Sequence, residues 1–347
     1  MNAVDFGRPQ LALRIGRASF RVPRRTQLVV TVLAVLAIAI AILSLCSGSY
    51  PLSVGQVVGS LTGSQGGFVR TVVVEWRLPR VLEAGLFGIA LGLAGAIFQS
   101  LTRNPLGSPD VIGFDTGAYT GALLAMLIVH ASGLWSVTLW AIGGGLVTAI
   151  GVYLLAFRQG VQGFRLIIVG IGVTAMLTSV NTWLLLRANA EEAISASIWG
   201  AGTLGSADYS QLVVAAIAFA VLFSAAAALS RGMRGLELGD DAGRQLGIRA
   251  ERTRLALVVV GVGLSGTVTA LAGPIAFVAL SAPQIAKRLT RSAGVTLGAS
   301  AATGAVLLLT SDWIAQHALG STLPVGLVTV VLGGGYFVWL LVVEGKR

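Results

Sequence analysis

The chain has little that could support catalytic or metal chemistry. Among its 347 residues there is one cysteine, Cys46, and there are two histidines, His130 and His317. A lone cysteine cannot form an intrachain disulfide, and two histidines are too few for a Cys/His metal cluster. The sequence therefore predicts no metal site, no cofactor and no catalytic residue.

The chain also lacks a loop that could hold the phosphates of a nucleotide. Such a loop has the form Gly-x4-Gly-Lys-Ser/Thr, whereas the Gly-Lys pair of this sequence, Gly345-Lys346, is followed by Arg347. Hydrolysis of ATP by that route is therefore excluded. Energy for any pumping must come from a separate subunit or from an ion gradient.

Charged residues are scarce, and this scarcity excludes an ordinary soluble domain. They make up 11% of the chain, against 55% hydrophobic residues, whereas about a quarter of a typical soluble domain is charged. The 24 lysines and arginines give a net charge of +10, but they are scattered between apolar runs. This distribution argues against nucleic-acid binding and is typical of charges that set membrane topology.

Apolar runs recur along nearly the whole chain and predict an all-α integral membrane protein with about ten transmembrane helices. Each run has about 18 or more uncharged residues, enough to cross roughly 30 Å of hydrocarbon. Two long runs hold two helices each, because 116–157 contains a hairpin near residues 130–133 and 255–286 is divided by Gly273-Pro274. The remaining spans are 28–45, 84–102, 166–186, 209–230, 292–311 and a last one that starts at Pro324.

The basic residues predict the orientation of these helices. With both termini in the cytoplasm, 20 of the 24 basic residues lie inside, and four lie outside: Arg70, Arg77, Arg80 and Arg187. The chain then divides into a basic cytoplasmic tail (1–26), a ten-helix domain (27–343) and a second cytoplasmic tail (344–347).

Ten helices would also allow an internal repeat. Two halves of five helices would run in opposite senses, which is the inverted-repeat architecture common in transporters. Residues 93–97, Leu-Ala-Gly-Ala-Ile, and residues 271–275, Leu-Ala-Gly-Pro-Ile, give a faint echo of it. An inverted five-helix repeat is therefore one option for the architecture.

The predicted cytoplasmic loop 231–254 contains a short helical pattern of its own. Asp240 and Asp241 suit the N-terminus of a helix, by capping and by the helix dipole, and Gly247 suits its C-terminus. Because these acidic residues stand within a basic loop, the short helix fits a protein partner better than a lipid surface, which stays open as the alternative.

A polar, helix-breaking segment stands at the end of a predicted membrane helix. Residues 102–110 are Thr-Arg-Asn-Pro-Leu-Gly-Ser-Pro-Asp, and the two prolines cannot continue the helix. In lipid, unpaired backbone groups cost several kcal/mol each, so such a segment survives only where protein or a water-filled path surrounds it. The segment indicates a transporter.

Five motifs, in this order, resemble those of the FecCD-type permeases of bacterial ABC importers for iron-siderophores and vitamin B12. They are residues 77–80, 99–114, 165–172, 272–275 and 323–326. The resemblance covers nearly everything after the first helix. Residues 107–114 and 181–186 are most similar to the ferric-enterobactin members of the family.

The resemblance implies that this chain is no enzyme but a type II permease subunit that moves an iron-siderophore complex, enterobactin-like, into the cytoplasm. Two separate ATP-binding subunits would hydrolyse ATP, a second homologous permease subunit would complete a heterodimer, and an extracytoplasmic siderophore-binding protein would dock outside. The location would be the bacterial inner membrane. An ion-coupled secondary transporter stays open as the alternative, as does the same fold carrying vitamin B12 or haem.

The resemblance also assigns roles to single residues. Docking of the binding protein is assigned to Arg77, Arg80 and Gln316. Gln316 stands where the vitamin B12 permease has a third arginine. Contact with the ATPase falls to a coupling helix and its flanks, at Gly235, Glu237, Asp240, Asp241, Leu246 and Gly247. The translocation path falls to the fifth helix, at Thr174, Thr178, Ser179 and Asn181. Structural motif positions are Asn104, Pro105, Pro109, Gly273, Pro274 and Pro324.

Two further positions depart from the family pattern. Gln284 replaces a usual histidine after Pro283, and Glu83 stands where the family is usually apolar. Since Glu83 lies three residues after Arg80, an i,i+3 ion pair between them is expected. Contact of Glu83 with a partner protein is the alternative.

Overall fold

The computed structural model describes residues 10–15, 18–110, 112–131, 133–156, 163–318 and 323–344. The C-terminal tail beyond residue 344 and the first nine residues of the N-terminal tail lie outside the described residues. Strands β1 (Gln10–Ile15) and β2 (Ala18–Pro23) pair as an antiparallel hairpin in the N-terminal tail. This hairpin was not predicted, and the rest of the regular structure that is described is helical.

The helices follow one another along the chain with short connections. They are α1 (Arg24–Cys46), α2 (Val54–Thr62), α3 (Phe68–Arg70), α4 (Leu78–Thr102), α5 (Phe114–Leu123), α6 (Leu134–Ala156), α7 (Gly163–Arg187), α8 (Ala190–Gly200), α9 (Tyr209–Glu237), α10 (Asp240–Gln245), α11 (Ala250–Ala272), α12 (Val278–Thr290), α13 (Leu297–His317) and α14 (Val325–Glu344). The π-helical turns Thr71–Arg77 and Leu124–Ile128 join α3 to α4 and extend α5.

Ten of the described helices stand where the ten spans are predicted. Seven are long and apolar enough to cross a membrane, namely α1, the continuous helix Phe68–Thr102, α6, α7, α9, α11 and α13. The apolar helices Phe114–Ile128 and α14 are shorter, and α12 has 13 residues, which is about 20 Å of helix. The all-α membrane architecture that the apolar runs predict is therefore confirmed.

Small residues let α4 pack at backbone distance against its neighbours at the centre of the bundle. A Cβ on Gly88 would overlap the carbonyl oxygen of Gly304 on α13, and one on Gly95 would overlap that of Ala279 on α12. Such close approach supplies the packing that holds helices together in lipid, because the hydrophobic effect does not drive helices together there. The core beside α4 is filled by large buried side chains such as Phe87, Phe219 and Leu308.

Several predicted boundaries differ from the structure. Helix α9 continues seven residues beyond Ser230, so the connection predicted as 231–254 shortens to residues 238–249. The predictions used charged residues as helix ends, whereas cations in the last turn of a helix are favoured by its dipole. Helix α13 likewise starts later, at Leu297, and Pro324 immediately precedes α14.

The two segments that echo an inverted repeat have different conformations. Residues 93–97 lie inside α4, whereas residues 271–275 cover the end of α11 and the turn after it. These segments therefore do not occupy equivalent places, and the repeat stays a prediction.

Candidate functional site

Two of the three predicted docking residues, Arg80 and Gln316, meet at one end of the bundle. Both bind Asp312, to which the sequence analysis assigned no role. Asp312 on α13 accepts hydrogen bonds from Arg80, with Nη2 2.9 Å and Nε 3.1 Å from Oδ1. Gln316 donates its Nε2 to the other oxygen of Asp312 at 2.7 Å. The Asp312 side chain is 3% exposed and that of Arg80 17% exposed. The pair joins the start of α4 to the end of α13.

Arg77, the third predicted docking residue, is held by backbone carbonyls at the same end. Its Nη1 donates to the carbonyl oxygen of Leu45 at 2.8 Å, and its Nη2 donates to that of Tyr50 at 2.7 Å. The arginine thus fastens the turn after α1 to the start of the α4 helix. Like Arg80, it is half-buried.

The expected ion pair between Arg80 and Glu83 is absent, so that prediction was wrong. Arg80 instead pairs with Asp312 on another helix, and the Asp312 carboxylate accepts hydrogen bonds from two nitrogens of the guanidinium. Glu83 is 1% exposed, and its Oε1 has no partner among the described residues. An i,i+3 pair on one helix contributes only a few tenths of a kcal/mol, which is too little to compete.

The glycine and proline motifs at residues 273–274 and 324–326 lie around one turn, the turn that follows α8. Gly273 has φ +74° after α11, and a Cβ there would overlap the carbonyl oxygen of Trp199. The amide of Thr203 donates to the carbonyl oxygen of Ala272 at 2.7 Å. The amide of Gly326 donates to the carbonyl oxygen of Gly202 at 3.1 Å. The motifs at 273–274 and 324–326 therefore pack on the turn that follows α8.

The polar segment after α4 is a compact turn whose second part is enclosed by protein. Asn104 Oδ1 accepts the amide of Leu106 at 2.9 Å, which is an Asx turn that ends the helix. Residues 107–109 are buried, including Pro109. This enclosure is what the cost of exposed backbone in lipid predicts for such a segment.

Two aspartates that had no predicted role tie this segment to broken helices inside the bundle. Asp110 Oδ2 accepts the backbone amide of Phe277, at the start of α12, at 3.1 Å. Asp115 Oδ1 accepts the hydroxyls of Ser265 at 3.1 Å and Thr269 at 2.9 Å, both on α11. Among the described residues, no group of three or more His, Cys, Asp or Glu side chains could hold a metal ion.

The opposite end of α4 is attached to the predicted coupling segment. Ser100 Oγ donates to Glu237 Oε1 at 2.9 Å, and Arg103 Nη2 donates to the carbonyl oxygen of Leu236 at 2.7 Å. Gly235 is buried, and a Cβ on it would overlap the side chain of Ile248. Gly235 and Glu237 therefore anchor the segment to the bundle.

The short helix α10 forms where the acidic pattern predicts it, and the residues that flank it present apolar side chains outward. Gly239, and not Asp240, is the N-cap residue, and Gly247 closes the turn with φ +77°. Leu246 is 64% exposed, and the exposed Asp241 lies 3.6 Å from Arg244. Leu238, which the sequence reasoning missed, is 70% exposed. A hydrophobic residue inside a polar connection was the available signal.

The four predicted path residues divide between two faces of α7. Thr178 and Ser179 are exposed, and their hydroxyls donate to the carbonyl oxygens of the residues four positions earlier. Asn181 is 4% exposed, and the Thr174 hydroxyl is buried, so these two side chains turn into the bundle, and their place in the path stays a prediction. Thr182, which was missed, is exposed and donates to the Thr178 carbonyl oxygen at 2.9 Å.

Comparison with known proteins gives a consistent result. The profile of the FecCD transport family matches residues 35–343. The Escherichia coli ferric enterobactin transport system permease protein FepG is 47% identical over 94% of this chain and 99% of its own length. The Bacillus subtilis Fe(3+)-citrate import system permease protein YfmE is 32% identical over 94% of this chain and 98% of its own length.

A solved structure supports the same fold. A metal-chelate type ABC transporter in an inward-facing conformation superposes with a TM-score of 0.77 and 24% identity, over 91% of this chain and 99% of that chain. The family profile, the relatives and the ten-helix architecture agree over nearly the whole length. This chain belongs to the FecCD transport family.

Proposed function

We propose that this chain is the membrane-spanning permease subunit of an ABC importer that carries an iron-siderophore complex of the enterobactin type into the cytoplasm. The observation that carries the proposal is the 47% identity to the ferric enterobactin permease over 94% of the chain. The permease itself is not an enzyme, and ATP hydrolysis lies in separate subunits. This division agrees with the missing phosphate-binding loop.

The proposed orientation places both termini in the cytoplasm of a bacterial cell, with the chain in the inner membrane. Ten crossing helices return the chain to its starting side, and the positive-inside rule favours the side that holds 20 of the 24 basic residues. In this orientation Arg80 and Gln316 face outward, and α10 faces the cytoplasm.

The proposed partners are a second, homologous permease subunit, two ATP-binding subunits and an extracytoplasmic siderophore-binding protein. The ATP-binding subunit fits the surface formed by Leu238, α10 and Leu246, because two exposed leucines fit an apolar groove better than water. The second permease fits the open face of α7. The hydroxyls of Thr178, Ser179 and Thr182 distinguish that face from the aliphatic exposed face of α9.

Helix α4 connects the two proposed contact surfaces mechanically. One end carries Arg80, which is paired to Asp312, and the other end binds the coupling segment through Ser100 and Arg103. A push on residues 238–249 by the ATP-binding subunits would move α4 together with the helices packed on its glycines. This coupling supports alternating access, in which the bundle tilts about a path between two permease subunits.

Reconstitution in proteoliposomes tests the proposal. We expect uptake of radiolabelled ferric enterobactin to require the partner permease, the ATP-binding subunits, the binding protein and ATP. Uptake by this chain alone in an ion gradient would instead establish the secondary transporter. Uptake of radiolabelled vitamin B12 or haem, without uptake of ferric enterobactin, would establish a different cargo on the same fold.

A charge reversal tests the docking surface separately. We expect Arg80→Glu to weaken the affinity of the binding protein about tenfold or more, because a carboxylate on the binding protein would lose its partner. Since Arg80 also pairs with the buried Asp312, affinity is compared only for variant protein that keeps a folded thermal transition. Arg187→Glu is the matched control, since Arg187 is predicted on the same side but outside the Arg80, Asp312 and Gln316 cluster. Equal affinity of the two variants would refute the docking role.

A further inference from the structure

A polar cavity of about 610 Å³ opens where the ends of α4, α9 and α12 meet. Its walls come from the last turn of α4 and the polar turn after it, from Glu237, from the second half of α12 and from residues 291–295. The cavity shares Glu237 with the coupling segment, whereas the docking and path residues lie elsewhere. Its volume is in the range of small-molecule binding sites.

The lining of this cavity is strongly basic. Four cations line it, Arg103, Lys287, Arg288 and Arg291, against one acidic residue, Glu237. Ser100 donates to Oε1 of this carboxylate, and the cations of the lining still outnumber it. Charges of one sign around a concave, weakly polarisable wall reinforce one another's field. The cavity therefore attracts anions.

Two of the arginines hold a backbone conformation that L-residues rarely adopt. Arg103 has φ +50° at the C-cap of α4, and Arg291 has φ +49° at the C-cap of α12. Glycine is the usual residue at such a position, because it has no Cβ to clash. Glycine would remove the strain but would supply no charge. Arginine at both helix ends beside one cavity indicates a use for the guanidinium groups there.

The deeper part of the cavity offers neutral amides. Gln99 is 4% exposed and donates its Nε2 to the carbonyl oxygen of Leu280 at 2.9 Å. Gln284 donates its Nε2 to Gln99 Oε1. These amides leave no carboxylate at depth that would repel an anion held by the basic rim.

An aromatic contact beside the cavity is of the kind found at the depth of lipid head groups. The guanidinium of Arg288 lies over the ring of Trp339, 5.2 Å from its centroid, and Trp339 is half exposed. Tryptophan at the end of a membrane helix is typical of the membrane–water interface. On the same surface, Arg25 Nε donates to the carbonyl oxygen of Leu289 at 2.9 Å.

We propose that this cavity is a binding site for a phosphate-bearing anion. Guanidinium groups bind two phosphate oxygens at once, and basic pockets between transmembrane helices on the cytoplasmic side bind the head groups of anionic lipids. A phosphate group free in the cytoplasm, on its own or in a nucleotide, would meet the same cations. The site goes beyond the transport function and does not depend on the identity of the cargo.

The test uses the purified full-length chain, delipidated in a neutral detergent. Native mass spectrometry measures retention of phosphatidylglycerol against phosphatidylcholine, and thermal-shift titration measures binding of inorganic phosphate and ADP. The test variant is Lys287→Gln with Arg291→Gly, because glycine suits the backbone at residue 291 and removes its charge. Arg234→Gln, an exposed cation outside the cavity, is the matched control.

We expect the chain to retain phosphatidylglycerol in preference to phosphatidylcholine. Loss of the two cations should weaken that binding roughly 25-fold, at about fivefold for each, while the control keeps the affinity of the unchanged chain. Binding of phosphate or ADP with the same sensitivity, and no lipid preference, would assign the site to a solution ligand. Equal binding of every probe by the double variant and the unchanged chain, or no binding at all, would overturn the proposal.

Discussion

The guanidinium of Arg80 and the carboxylate of Asp312 form an ion pair in which two nitrogens of the arginine donate. The two residues lie 232 positions apart in the chain. The pair joins the first turn of α4 to α13, and Gln316 completes the hydrogen bonding of the carboxylate. Because Asp312 is buried, removing its charge would leave Arg80 without a balancing partner.

Replacing Asp312 should therefore destabilise the permease. We expect Asp312→Asn to lower the free energy of unfolding by about 2 kcal/mol, the range for a hydrogen bond to a charged group. Gln316→Ala, which removes one neutral donor, should cost about 1 kcal/mol. The midpoint of thermal unfolding in detergent measures both, and equal midpoints for Asp312→Asn and the unchanged chain would contradict the role of the pair.

Two glycines on α4 give a matched test of helix packing. Gly95→Ala would place a Cβ against the Ala279 carbonyl oxygen, so we expect a loss of about 3 kcal/mol or failure to accumulate in the membrane. Gly85→Ala meets no atom within 4 Å and should be neutral or stabilising by up to about 1 kcal/mol. Membrane yield and thermal midpoint separate the two, and a tolerated Gly95→Ala would show that the helices do not pack at this distance.

The outward leucines of the coupling segment should matter for assembly and not for folding. We expect Leu238→Ala or Leu246→Ala to reduce co-purification of the ATP-binding subunit about tenfold, since each removes an exposed apolar side chain from the proposed contact. Leu61→Ala, on the half-exposed surface of α2, is the control. Unchanged co-purification in both coupling variants would argue against this contact.

A bulky residue on the open face of α7 should block transport without unfolding the chain. Thr178→Trp adds an indole where the side chain is exposed, so we expect a normal thermal midpoint and a loss of uptake of roughly tenfold or more. Ile217→Trp on α9, where the side chain is 64% exposed, should leave uptake unchanged because that face meets lipid. Equal uptake by the two variants would remove α7 from the path.

Asp208 makes one helix end dependent on pH. Its carboxylate caps α9 by accepting the Gln211 amide at 2.8 Å, and this bond, with the Ser210 hydroxyl, lowers the pKa of Asp208 below its usual value. A lowered pKa in the folded state means that the stabilisation is present above the pKa of the unfolded chain and is lost as pH falls through the folded value.

The cap should contribute about 1 kcal/mol near neutral pH. We expect Asp208→Ala to lose it at neutral pH, and we expect its difference from the unchanged chain to shrink in acid, well below about pH 3.9. Asp208→Asn keeps the cap at every pH, because asparagine caps as well as aspartate and does not titrate. Thermal midpoints measured across pH would count against the cap if Asp208→Ala differed from the unchanged chain by the same amount throughout.

The local pattern of the sequence was sufficient for the number and order of the ten helices that occupy the predicted spans. Hydrocarbon requires every backbone group to be paired within its own segment, so uncharged runs of sufficient length can be recognised without any tertiary information. The helix break at Gly273-Pro274 and the short helix after Gly239 are likewise local, because they depend on proline, glycine and neighbouring acidic residues. Helix ends were less accurate, since α9 continues through arginines that the prediction used as boundaries.

The sites could be predicted as regions but not as contacts. Residue type and position placed Arg80 and Gln316 at one end of the bundle, but Asp312 was missed as their shared partner, and Glu83 was paired with the wrong side chain. On α7, the sequence supplied four polar residues but could not show that Asn181 faces inward while Thr178 faces outward.

The sequence by itself determined that this chain is a membrane bundle that lacks the Gly-x4-Gly-Lys-Ser/Thr loop, because hydropathy and motifs are properties of the linear chain. Only the tertiary structure decided which charges meet. Helix α4 brings Asp312, Glu237 and Arg103 into contacts that join distant parts of the chain, and these depend on how each helix is rotated about its axis. That rotation is set by close packing of glycines against neighbouring backbones, which no single helix encodes.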